Sequence, residues 1–319
     1  MRANFSLMLL LPLAFALAGS PSPPERAGIS EWPIPNAKFP LTPGVGPDGK
    51  VYVTVRFSDR IARFDPATEE FTQWSVPSGT QPHGLLIDGR GRVWFTGSGN
   101  GTINRLDPGT GRITSYRVAP DAYPHTPVMD ATGHIWFTEF QGNRIARLDT
   151  ATGKIREYPT AGQPYGITID QSGLIWFCQF TGGKVAMLDP ATGAITELSV
   201  GGSARPRRIA LAPDGSLWAA LYAAGKLIRI DPASRRIVRT YDLPGGAESG
   251  PYAVAVDSAG RVYASATGTN HILRLDPRRD EFDTFPLPGE KAMVRGLAVD
   301  GQGRLWYAAS ATGRLGVLD

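Results

Sequence analysis

The chain predicts an all-β fold, a seven-bladed β-propeller of four-stranded blades, and three observations carry that prediction. First, seven aromatic residues (Tyr52, Trp94, Trp136, Trp176, Trp218, Tyr263 and Trp306) each follow an apolar residue after a glycine-containing turn. An aspartate stands thirteen residues beyond each, from Asp65 to Asp319, and both series advance by 42, 42, 40, 42, 45 and 43 residues. A period near forty is the mark of a repeat architecture. Second, every unit splits at turn-forming residues into four short strand-like stretches, the composition of a propeller blade. Third, the last unit ends after three stretches, and one that matches the missing fourth precedes the first unit.

The second unit illustrates the division. Strands are predicted at 82–88, 92–96, 102–107 and 113–118, separated by Asp-Gly-Arg-Gly, Gly-Ser-Gly-Asn-Gly and Asp-Pro-Gly-Thr-Gly. Each separator is rich in residues that tolerate tight turns. The inner stretches, such as Leu85-Leu86-Ile87, are continuously apolar, as expected for a strand covered on both faces by neighbouring blades. The recurring aspartates are read as caps of the turns that follow them. For closure, Ile29 to Ile34 supplies the candidate fourth strand of the last blade: Trp32 stands eight residues before Pro40 as Trp74 stands eight before Pro82. Such pairing removes the exposed edges of an open array.

The domain organisation expected is a signal peptide over 1–18, a flexible leader over 19–28 and the propeller over 29–319. The first stretch has Arg2, an apolar run from Leu7 to Leu17 and the small-x-small pattern Ala16-Leu17-Ala18, the features of a secretory signal. It is too short to span a bilayer. Ser20 stands where a lipoprotein would need its lipid-bearing cysteine, so an exported protein, periplasmic or secreted, is expected, with no membrane span and as a monomer. Cys178 is the single cysteine, which excludes an intrachain disulfide, a CxxC redox pair and a cysteine zinc cage. It is read as a buried apolar residue. The net charge of +4 is spread along the chain, so the basic stripe of a nucleic-acid partner is missing.

Chemistry is sought at the channel rim. Twelve residues before each repeat aromatic stands a proline, or Val294 in the seventh unit, and the next residue opens the innermost strand. Around the ring that position reads Leu41, His83, His125, Tyr165, Arg207, Tyr252 and Arg295. A structural position would repeat; this one varies among polar and aromatic types. A regular hairpin centred near residue 132 places His125 opposite Glu139, and the same arithmetic sets Tyr165 against Gln179, His83 against Gly97 and Arg207 against Leu221. Blades two to five then present a polar arc, while Leu41/Val55, Tyr252/Ala266 and Arg295/Ala309 are sparser. A histidine beside a carboxylate is a plausible general base; equally, the pair could simply seal the channel mouth. Glu139 is one hard oxygen ligand suited to magnesium, and no second carboxylate occupies an equivalent position. His134 and His271 read as surface residues.

The phrases Pro-His-Gly-Leu (82–85), Pro-Tyr-Gly-Ile-Thr (164–168), Ile-Trp-Phe-Thr-Glu (135–139), Gly-Asn-Arg-Ile-Ala-Arg-Leu (142–148) and Ile-Arg-Glu-Tyr-Pro (155–159) resemble those of the streptogramin B lyases, also called virginiamycin B lyases. The resemblance spans all seven repeats. It implies a seven-bladed propeller that opens the lactone of cyclic depsipeptide antibiotics by magnesium-assisted elimination. It further implies a substrate-contacting histidine in one Pro-His phrase, a base histidine in the Pro-His of the next blade, and two glutamate metal ligands, one two residues before that base and one fourteen after. His83, His125 and Glu139 match in spacing; Tyr123 occupies the place of the first glutamate. The pair falls in blades two and three, whereas the family's lies late in the chain, where Arg207, Tyr252 and Arg295 stand here.

The expectation drawn is an exported lyase-like propeller acting on a cyclic lactone or depsipeptide. In it His125 removes a proton alpha to a carbonyl, Glu139 orients it or helps to hold magnesium, and His83, Tyr165, Gln179, Arg207, Tyr252 and Arg295 bind substrate. The alternative is a non-catalytic propeller that holds a small molecule or protein partner at the channel mouth. A six-bladed metal-dependent sugar lactonase fits poorly, because seven units are counted and no Glu/Asn/Asp ligand cluster emerges.

Overall fold

Seven four-stranded antiparallel sheets follow one another around a ring in the computed structural model, which describes residues 28–319. The signal peptide expected over 1–18 and all but the last residue of the leader expected over 19–28 lie outside the described residues. In the second blade, strands β6 (Pro82–Ile87), β7 (Val93–Gly97), β8 (Thr102–Leu106) and β9 (Ile113–Arg117) run from the axis outward. The first strands of the blades are β2 (Pro40–Val45), β6, β10 (Pro124–Met129), β14 (Pro164–Ile169), β18 (Pro206–Leu211), β22 (Pro251–Val256) and β26 (Val294–Val299). Each packs on the next, and β26 packs on β2, so the ring is closed.

Closure uses the strand expected from the sequence. Strand β1 (Ile29–Pro33) pairs antiparallel with β28 (Arg314–Leu318), Ile29 facing Leu318 and Trp32 facing Leu315. The Trp32 ring stacks on Trp306 of the last blade at 6.1 Å and meets Phe64 of the first at 4.7 Å. One side chain therefore joins the two ends of the ring.

The repeat residues explain why the blades form. The second strands are buried along their whole length, including the fully buried Trp94, Trp136, Trp176, Trp218 and Trp306. Burial of a large apolar side chain is worth roughly 1.5–3 kcal/mol, and each tryptophan must also place its indole N–H. In four blades an aspartate in the preceding turn accepts it: Asp88 from Trp94, Asp130 from Trp136, Asp170 from Trp176 and Asp300 from Trp306, at 2.7–3.0 Å. The same carboxylates accept backbone N–H groups of their own hairpins. The other aspartate series caps the following turn as expected, with Asp65 accepting from the Ala67 amide and Asp107 from Gly109. Cys178 is fully buried, as anticipated, and burial pushes its thiol far up.

One feature departs from a regular ladder, and it recurs in the first hairpin of every blade. Phe137 faces Pro127 as the arithmetic requires, but Glu139 faces Pro124, because the ladder slips by one residue between them. The six other blades slip at the same place, so Gly97 faces Pro82, Gln179 faces Pro164 and Leu221 faces Pro206. His125 therefore does not oppose Glu139, nor Tyr165 Gln179, nor His83 Gly97, nor Arg207 Leu221. A bulge leaves backbone groups without ladder partners. In blades one to three a threonine of the second strand takes them, and in blade six Ser265 does; blades four, five and seven carry the same slip with Cys178, Ala220 and Ala308 at that position. Thr96 Oγ1 accepts from the Gly84 amide at 2.8 Å and donates to the His125 carbonyl of the next blade at 3.0 Å. Thr54 and Thr138 do the same, linking Thr42 to His83 and Thr126 to Tyr165. Gly84 is obligatory at this joint, since a Cβ there would collide with the His125 carbonyl oxygen.

Candidate functional site

At the bulge, successive inner-strand residues, His125 with Thr126 and Arg207 with Arg208, enter one cluster of contacts. His83 and His125 stand side by side with ring centroids 3.9 Å apart, and Tyr165 lies 4.1 Å from the far side of His125. The two histidines are only 4% and 2% exposed. Burial lowers both pKa values well below the ordinary imidazole range. Arg208, Arg56 and Arg295 add to the effect on His83, and His83, Arg208, Arg207 and Arg56 add to that on His125. Both shifts favour the neutral imidazole.

The His125 Nδ1 lies 2.8 Å from Thr126 Oγ1, which accepts from Arg208 Nη1 across the channel at 2.7 Å. If Nδ1 carries the proton and donates to Thr126, the lone pair of Nε2 is left for a substrate. Tyr165 and Tyr252 bring their hydroxyls into hydrogen-bond contact over the axis, and Arg207 Nη1 donates to Tyr165 at 2.9 Å. The Arg207 guanidinium sits in the corner formed by the nearly perpendicular rings of Tyr222 and Tyr252, 4.2 and 4.3 Å from their centroids. Arg295 lies over Tyr252, and Arg56 donates to Tyr123 and Gln81. Among the described residues, Arg56, Arg207, Arg208 and Arg295 form no ion pair. Below the tyrosines a cavity of ≈ 120 Å³ is lined by Thr126 and Arg208 with Ile167, Ile209, Val254 and Leu297.

The structure thus brings together His83, His125, Tyr165, Arg207, Tyr252 and Arg295. Glu139 and Gln179 make their bonds elsewhere. Glu139 Oε2 accepts from Arg144 Nε at 2.5 Å, and Arg144 also pairs with Asp121 and Glu157. Glu139 Oε1 is buried without a partner. Burial, assisted by Glu157 and Asp121 and opposed by Arg144, pushes the Glu139 carboxyl up to about 7. Gln179 donates to Glu197 on the outer strand. His134 and His271 are half-buried, further from solvent than expected. Arg56, Thr126 and Arg208 were not among the candidates, because only the first residue after each proline was considered. The adjacent Pro-Arg-Arg of 206–208 was the available signal.

Magnesium does not fit this donor set. One Glu139 oxygen is taken by the Arg144 guanidinium, Tyr123 stands where a second carboxylate would be needed, and the four arginines without ion pairs repel a dication. Among the described residues no three His, Cys, Asp or Glu side chains are grouped to hold a metal. No helix there is long and apolar enough to cross a membrane.

Comparison with solved structures agrees on fold and family. Virginiamycin B lyase from Staphylococcus aureus superposes with a TM-score of 0.85 at 26% identity, covering 92% of this chain and 99% of that one. A streptogramin B lyase gives the same score and identity, covering 92% and 97%. A catalytically inactive histidine-to-alanine variant of the S. aureus lyase with quinupristin gives 0.85 at 27% identity, covering 92% and 99%. No curated protein sequence matches the chain. The profile described as the virginiamycin B lyase family matches residues 25–163 and 69–319, and the chain belongs to that family.

Proposed function

We propose that the channel mouth is the site of a carbon–oxygen lyase of an exported protein, which opens a cyclic lactone or depsipeptide by elimination. The observation that carries this reading is the buried, closely packed pair His83 and His125, both held toward the neutral form and set among guanidinium groups that lack counter-ions. Nε2 of His125 takes the proton from the carbon alpha to a carbonyl. The C–H electrons form the new double bond as the adjacent C–O bond breaks, and the ester oxygen departs with its electron pair as a carboxylate. A low-pKa imidazole is a weak base, so the barrier must be lowered at the other end of the reaction. Arg207 and Arg208 lie where developing negative charge can be met by preorganised donors. His83 fixes the plane of His125 and contacts substrate, and Tyr165, Tyr252 and Arg295 define the entrance.

The test is incubation of the protein with a panel of cyclic depsipeptides and lactones, followed by mass spectrometry and ultraviolet absorbance. Elimination yields a ring-opened isomer of unchanged mass with a new conjugated double bond, whereas hydrolysis adds a water. Activity lost in His125→Ala supports the reading; hydrolysis products, or full activity in the variant, would refute it. One observation favours a second reading, a non-catalytic binding module. The hydroxyls of Tyr165 and Tyr252 meet in a buried hydrogen bond between blades four and six, with Tyr165 packed against His125. Ligands recovered chemically unchanged from a tight complex would decide for that alternative.

A further inference from the structure

Three blades send four guanidinium groups to one channel: Arg56 from the first, Arg207 and Arg208 from the fifth, Arg295 from the seventh. All four bear on the histidine pair. Among the described residues no carboxylate pairs with them. The two imidazoles are held toward the neutral form, Glu139 is held by Arg144, and the Nε atoms of Arg56, Arg207 and Arg208 are buried without a partner. Buried like charges are unfavourable until an opposite charge enters. Guanidinium groups offer paired donors that match a planar carboxylate.

Space and walls narrow the ligand further. The cavity of ≈ 120 Å³ beside Arg208 and Thr126 exceeds the roughly 30 Å³ share of a water several-fold, which suits a headgroup and its first carbons. Thr42 apart, its other walls are apolar, and Tyr165 packs close to the Arg208 guanidinium. A bare inorganic ion would leave those surfaces unused.

We propose that the channel binds an organic carboxylate, with the headgroup on Arg207 and Arg208 and the hydrocarbon part against Tyr165 and Tyr252. The arginines stand in for the divalent cation that the lyase resemblance implies. This deepens the lyase reading by naming the charge that its site holds, and it is tested by binding rather than turnover. The probes are benzoate, its neutral isostere benzamide, and inorganic phosphate, added to the full chain at constant ionic strength with calorimetry and thermal melting as readouts. Benzoate is expected to bind and raise the melting temperature, unaffected by EDTA, with benzamide weaker by roughly tenfold or more. Arg208→Met should weaken benzoate by about tenfold, and Arg207→Gln, a second variant in case the first misfolds, by a similar factor. His125→Ala, inactive on the elimination reading, should keep benzoate affinity within about threefold, so that binding and turnover fail separately. Equal binding of benzamide, loss of binding in EDTA, wild-type affinity in both arginine variants, or binding of phosphate without benzoate would each overturn the assignment.

Discussion

Thr96→Val removes one hydroxyl and almost no volume, yet it strikes the joint that sets the channel geometry. The Thr96 side chain is fully buried and makes two bonds, from the Gly84 amide at 2.8 Å and to the His125 carbonyl at 3.0 Å. Valine leaves both backbone groups without a partner in a dry interface. Each orphaned group costs about 1–3 kcal/mol; valine's better burial returns part of that, so a net loss of about 2–4 kcal/mol is expected. For a chain of this size such a loss lowers the melting temperature by roughly 3–7 °C. The chain holds its own control, because the equivalent positions of blades four and five are Cys178 and Ala220, which have no hydroxyl to lose. Cys178→Val should therefore cost about 1 kcal/mol or less, the overpacking of one methyl group aside. Differential scanning calorimetry of the two variants decides the matter. Equal losses at both sites, or a Thr96→Val protein as stable as the wild type, would refute the view that the Thr96 hydroxyl stabilises this joint, which blades with Cys178 and Ala220 form without one.

Three further outcomes follow from the same contacts. Gly84→Ala forces a methyl group against the His125 carbonyl; a loss of about 3 kcal/mol or more is expected, with the histidine pair displaced, and an unperturbed melting curve would contradict it. Trp32→Ala unfastens the closing strand from Trp306 and Phe64; the half-buried ring is worth about 2–3 kcal/mol, and amide exchange should accelerate selectively in strands β1 and β28. Glu139→Gln isolates one titration. The Glu139 carboxyl is raised from 4.5 to about 7, so between those values the folded state binds more protons than the unfolded one, and stability falls as the pH rises. The wild type should lose up to about 3 kcal/mol relative to the Gln variant between pH 4.5 and 7, and parallel pH profiles would contradict this.

Much of the fold was legible because a propeller writes each blade in the same words. The spacing of Trp94, Trp136 and their counterparts set the blade count, and Trp32 marked the strand that closes the ring. The rim residues His83, His125, Tyr165, Arg207, Tyr252 and Arg295 were also found, since they break a pattern that is otherwise repeated. What failed was the pairing of His125 with Glu139. Counting residues across a hairpin assumes an unbroken ladder, and a one-residue bulge changes which side chains oppose one another. Its signs were present in Gly84, Gly166 and Gly296, which admit the neighbouring backbone, and in Thr54, Thr96 and Thr138, which satisfy it. Those residues acquire meaning only once the blades are packed. The arginine cluster stayed hidden for the same reason, because Arg56 lies beyond the end of a second strand and Arg208 one place past the position that was read.

The central claim is that His83 and His125 form a buried, mutually coupled, uncharged pair among arginines. Histidine-selective NMR over pH tests it directly, since the chain has only four histidines. The account predicts that two ring signals titrate well below the ordinary value near ~6.5, and that replacing either residue by asparagine shifts the other. Four independent titrations at that ordinary value would contradict it.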